Sequence, residues 1–141
     1  MGRRGSALVC ALAFVAVTAC GSSHSASSTS DRSTLVKNAF TKVFSSKTPV
    51  AQRESALENG AAFASVLTAQ ARNGAMTATV GAITFSDSSH AAVSFSLTVA
   101  PSTRLPSVAG AAVLVGSSWQ VSASTMCVVL SATNQHAAVC G

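Results

Sequence analysis

The sequence predicts an α+β fold with its helices ahead of an antiparallel sheet. Three observations carry this. Apolar residues recur at helical spacing between Leu35 and Ala71, the period changes to two between Ala91 and Val99, and glycine- and serine-rich turns punctuate the rest of the chain.

The segments before the first helix have separate roles. Arg3 and Arg4 precede an uncharged run from Ala7 to Ala19, the pattern of an export signal. The run is shorter than the roughly 20 apolar residues that a membrane-spanning helix needs. Its end, Val17, Thr18, Ala19 and Cys20, resembles the lipobox of bacterial lipoproteins. That resemblance implies a diacylglycerol thioether on Cys20 and cleavage before it, so residues 1–19 are read as signal peptide. GSSHSASSTS comes directly after Cys20, a polar tract without the apolar surface to fold. Residues 20–33 are read as a lipidated cysteine and tether, reaching on the order of 20 Å. The expected address is the outer face of the cell membrane, with a fraction secreted.

Removing the signal leaves seven Lys and Arg against four Asp and Glu, a net charge of +3. Arg32, Lys37, Lys42, Lys47, Arg53, Arg72 and Arg104 are dispersed, with no basic run and no interleaved aromatics. A nucleic-acid partner is therefore not expected.

Residues 34–141 are read as one domain, long enough to bury its own core. Leu35, Val36, Ala39, Phe40, Val43 and Phe44 form the apolar stripe of a first helix, and Lys37, Asn38, Thr41 and Lys42 take its wet face. Thr48 and Pro49 suit the start of a second helix, and Asn59 and Gly60 suit its stop. Phe63, Val66, Leu67 and Ala71 extend a helical stripe to Asn73 and Gly74.

Strands come next. Ala91, Val93, Phe95, Leu97 and Val99 alternate with Ala92, Ser94, Ser96 and Thr98. In the preceding segment Met76, Ala78 and Val80 lie in one phase and Ile83 and Phe85 in the other, so a bulge is expected at Gly81. Asp87, Ser88 and Ser89 supply the turn between these strands. Ala111–Val115 and Trp119–Ala123 then flank Gly116, Ser117 and Ser118 as a hairpin.

Cysteine usage fits export. Cys10 leaves with the signal and Cys20 carries lipid, so Cys127 and Cys140 remain as one pair for a disulfide. A metal site there would need more ligands than His136 offers.

The order of a helical half, AITFSDSSHAAVSFSLTV, GSSWQVSASTMCVVL and a last cysteine resembles the mycobacterial low-molecular-weight antigen family of small exported proteins. Its most specific piece is the spacing of Gly116, Trp119, Val121, Thr125 and Cys127, with Cys140 as partner. The resemblance implies a cystatin-like cone similar to nuclear transport factor two, in which a curved sheet wraps a helix. It carries over no functional residue.

Similar cones host isomerases and dehydratases with an Asp or His base, so the titratable residues matter. Asp87 and His90 read as turn residues, Glu54 and Glu58 as a solvated helix face, and His136 as exposed; Asp31 and His24 fall in the tether. Gly-x-Ser-x-Gly, phosphate-loop, HExxH and paired CxxC patterns are absent, so no catalytic residue, metal or cofactor is assigned. Two non-catalytic functions remain. One is an envelope accessory that docks on a protein or on a second copy of itself. The other is a module holding an apolar or lipid ligand, with Phe40, Phe44, Phe63, Phe85, Phe95 and Trp119 as candidate pocket lining.

Overall fold

The computed structural model describes residues 28–100 and 102–141; Cys20 and the export signal lie outside the described residues. Helix α1 spans Thr29–Val43, α2 Val50–Ser55 and α3 Ala64–Arg72, with a 3₁₀ turn at Gly60–Phe63 leading into α3. Strands β1 (Met76–Phe85), β2 (His90–Val99), β3 (Thr103–Val115) and β4 (Ser118–Val121) form an antiparallel meander. A fourth helix, α4 (Ala123–Ala132), and a 3₁₀ turn at Ala138–Cys140 close the chain.

Helix α1 begins five residues before the expected boundary. Ser28 and Asp31 form a capping box: Ser28 Oγ accepts from the Asp31 N–H at 3.2 Å, and the Asp31 carboxylate accepts from the Ser28 N–H at 3.3 Å. Residues 29–33, read as tether, are therefore helical. A Ser/Thr-rich composition conceals the cap because the same residue types suit both a linker and a helix start. The stripe is as expected in Val36, Ala39, Phe40 and Val43, which are buried, while Leu35 stays 47% exposed.

Helix α2 is shorter than its sequence signals. Pro49, not Thr48, occupies the N-cap, and the helix stops at Ser55 instead of running to Asn59. The reason is tertiary. Glu58 N–H donates to Val121 O at 2.8 Å and Val121 N–H donates to Ala56 O at 2.9 Å, so residues 56–58 lie beside β4 and cannot continue a helix. Asn59 then takes a left-handed conformation (φ 54°), and Gly60 passes so close to Glu54 that a Cβ would stand 2.1 Å from its carbonyl oxygen.

The expected bulge is present: β1 and β2 shift register between Val80 and Ile83. A second shift, between β2 and β3, sets Val108 opposite Phe95 but Leu105 opposite Leu97. The two bulges flank Phe95 on either side. Because each raises the local twist, the sheet curls there into a half-barrel. Its concave side carries Ala91, Val93, Phe95 and Leu97, all buried, and its convex side carries exposed Ala92, Ser94 and Thr98.

Strand β3 starts at Thr103, eight residues before the expected Ala111. Pro106 argues against a strand in sequence, yet β4 pairs only with Ala112–Val115, which leaves an edge where a proline is tolerated. Helix α4 is likewise unanticipated, since the segment after Ala123 reads only as a disulfide loop. Ser122 Oγ caps it by accepting from the Thr125 N–H at 3.2 Å, and Met126, Val129 and Leu130 bury the apolar face. Its strong content of Ser, Thr and Val obscures the helical period.

The cysteine pair is bonded. Cys127 on α4 joins Cys140, with Cα atoms 5.5 Å apart, and fastens the C-terminal turn to the helix. Closing a loop of this length stabilises by about 3 kcal/mol in the chain-entropy treatment.

Candidate functional site

Five of the six aromatics meet in two groups. Phe40 meets Phe95 edge-on at 5.0 Å between centroids, Phe44 stacks on Phe95 at 5.3 Å, and Phe40 lies 6.0 Å from Phe44. These three and Phe63 are between 0 and 2% exposed. They fill the concave side of the sheet. Phe85 and Trp119 form a separate edge-on pair at 5.5 Å.

Arg32, assigned by composition to the tether, sits on that second pair. Its guanidinium lies 4.0 Å from the Phe85 centroid and 5.6 Å from that of Trp119, and Nη2 donates to Asp87 O at 2.7 Å. The start of α1 is thus fixed to the β1–β2 hairpin. Beside it, α1 and the β3–β4 hairpin enclose a groove of about 290 Å³ lined by Leu35, Asn38, Lys42, Ser55, Ser117 and Trp119, among others. It combines an apolar side chain, an aromatic edge, hydroxyls, an amide and one cation.

Asp87 and His90 meet at the hairpin turn. Asp87 Oδ1 accepts from the Ser89 N–H at 2.7 Å and the His90 N–H at 2.9 Å, and His90 Nδ1 lies 2.9 Å from Asp87 Oδ2. Ser89 Oγ lies 3.1 Å from the same ring nitrogen. A Ser–His–acid relay needs hydroxyl and carboxylate on opposite ring nitrogens. Here both occupy Nδ1, so His90 cannot draw a proton from Ser89 while Asp87 orients it. The cluster closes a turn, as its sequence suggests.

The Ser89 amide, with His90 second, holds the Asp87 pKa down from 3.8 to about 2. A depressed carboxylate stabilises the fold above its unfolded pKa, and that contribution is lost as pH falls through the folded value. The expected result is that Asp87→Asn lowers the urea midpoint above pH 4 (roughly the free-carboxylate range), with the gap from wild type closing towards pH about 2. Parallel curves across that window would show that the charge contributes nothing.

Glu58 departs from the helix face assigned to it. Its Oε2 accepts from the Ala123 N–H at 2.9 Å, at the start of α4, where a carboxylate is favoured. Glu54 remains half-buried on α2, and His136 is exposed.

The residue that sequence reasoning passes over is Arg53. Read only as a surface charge, it is 0% exposed. Its Nε donates to Val43 O at 2.7 Å, Nη1 to Leu67 O at 3.1 Å and Nη2 to Gln70 Oε1 at 2.6 Å, while Gln70 Nε2 donates to Gln135 Oε1 at 3.1 Å. Arg53 thereby joins α1, α2 and α3, and Gln70 extends the network to the C-terminal segment. Burial lowers its pKa from the ordinary arginine value. Gln70 also borders a cavity of about 30 Å³ with Asn73, Met76, Val99 and Gln135, a volume suited to water. The signal that could find it is the spacing of Arg53 from Ala56 and Leu57, which puts it on the buried side.

Among the described residues, no group of three or more His, Cys, Asp or Glu is placed to hold a metal, and no helix is long and apolar enough to cross a membrane.

Comparison with curated proteins and with solved structures returns no match. The family model for the C-terminal domain of low molecular weight antigen MTB12 matches residues 31–137, from the first turn of α1 to the approach of the final 3₁₀ turn. With that match reaching across all four helices and the whole sheet, the chain belongs to the low molecular weight antigen MTB12 family.

Proposed function

We propose that this family member is a lipid-anchored, non-catalytic accessory of the cell envelope that works through surface contact. The observation that supports the reading is the packing of the core: Phe40, Phe44 and Phe95 meet one another on the concave side of the sheet, and they and Phe63 are buried. Recognition then falls to the outside. The groove between α1 and the β3–β4 hairpin is the favoured contact surface, because Leu35 is exposed there beside Trp119 and Lys42.

Anchoring rests on Val17, Thr18, Ala19 and Cys20. Replacing Cys20 by Ala is expected to move the protein from the membrane fraction to the medium. Retention in the membrane would refute the anchor. For the contact surface, a photo-crosslinking residue at Leu35 is expected to give discrete adducts on intact cells, whereas one at Thr98 on the convex face is not. A clean Leu35 lane, or a bound apolar molecule released from the gently purified protein on denaturation, would turn the reading back to a ligand-binding module.

A further inference from the structure

Two asparagines precede glycine, Asn59–Gly60 and Asn73–Gly74, and the fold treats them in opposite ways. We propose that Asn73 is a site of spontaneous modification, converting to aspartate and isoaspartate, and that Asn59 is protected. The chemistry requires the backbone nitrogen after the asparagine to attack the side-chain amide carbon. The side-chain nitrogen leaves as ammonia, taking up the amide proton, and a five-membered succinimide remains. Water then opens the ring at either carbonyl, giving aspartate or isoaspartate. Glycine favours the attack because no Cβ obstructs it.

At Asn59 the nucleophile is restrained. Gly60 N–H donates to Leu57 O at 3.0 Å, the next turn is held by Ala62 N–H donating to Asn59 O at 3.0 Å, and Gly60 is buried against the Glu54 carbonyl. Ring closure would require breaking that bond and moving a glycine that has no room. At Asn73 the opposite holds. Asn73 caps the end of α3, Asn73 and Gly74 are exposed, and among the described residues the Gly74 N–H donates to no backbone carbonyl. Gly74 has φ 129°, and a Cβ at this position would meet only Ala100 O, at 3.5 Å, so it is not crowded as Gly60 is.

The product matters for its position. A carboxylate at residue 73 would stand at the negative end of α3, where it is disfavoured, on the rim of the cavity that Gln70 and Gln135 share. Isoaspartate would also lengthen the backbone by one methylene between α3 and β1.

The test ages the purified, oxidised mature chain in mildly alkaline buffer, then maps peptides by mass and labels isoaspartate with an isoaspartate-specific methyltransferase. A urea-unfolded sample runs alongside. In the unfolded chain both asparagines are expected to convert at similar rates. In the folded chain Asn73 is expected to convert about two- to twelvefold faster than Asn59, the ratio set by one further hydrogen bond to break, and an Asn73→Ser variant should lose that label. Equal folded rates, faster conversion at Asn59, or no folded conversion at Asn73 would each overturn the proposal.

Discussion

Replacing Phe95 by Ala is expected to cost about 3–5 kcal/mol, read as a drop in the urea midpoint at unchanged slope. That is a large share of the roughly 5–15 kcal/mol by which a domain of this kind is stable. The size of the effect comes from geometry. Phe95 is 2% exposed, lies between the two bulges that curl the sheet, and receives Phe40 edge-on and Phe44 face-on. Gly110, which pairs with Val93, leaves room for the ring: a Cβ there would stand 2.9 Å from Phe95. Truncation would empty the place where Phe40 of α1 and Phe44 at its C-cap meet β2 between its two bulges. A loss below about 1 kcal/mol would mean that the core collapses into the gap, and the description of a tightly filled cone would fail with it.

The second large effect is expected at Arg53. Arg53→Met keeps an apolar stem of similar reach but removes all three donated hydrogen bonds. Val43 O is at the end of α1, where no helical N–H remains to satisfy it, and Gln70 Oε1 is left facing the same void. Two buried acceptors without donors set a loss of about 2–4 kcal/mol, moderated because a desolvated cation is removed with them. Arg53→Lys should fall between, since an ammonium cannot span three acceptors in a plane. If Met at this position equals or exceeds wild type in stability, burying the charge costs as much as its bonds return.

These two residues also mark how far local pattern reaches. Phe95 is legible because its strand alternates strictly, and the bulge at Gly81 is legible because the phase of apolar residues changes across it. The spacing of Arg53 from Ala56 and Leu57 places it on the buried side, but its partners are not legible, since a lone arginine on a short helix has the same composition whether it faces water or three carbonyl groups. Glu58 misleads for a related reason, and Pro106 has the same kind of local preference. Each preference, for a solvated helix face and against strands, is one that a neighbouring segment overrides.

What the sequence determines by itself is whatever is written in short-range order: the α+β class, the stripe of α1, the β1–β2 hairpin with its bulge, and the family resemblance. Only the tertiary structure decides where α2 ends, that β3 extends past Pro106, that a helix comes after the sheet, and that Phe40, Phe44 and Phe95 meet one another. The physical reason is the same in each case. Periodicity says which side of a segment is apolar, whereas the backbone partner of Glu58, the edge beside Pro106 and the acceptors around Arg53 belong to residues distant in the chain.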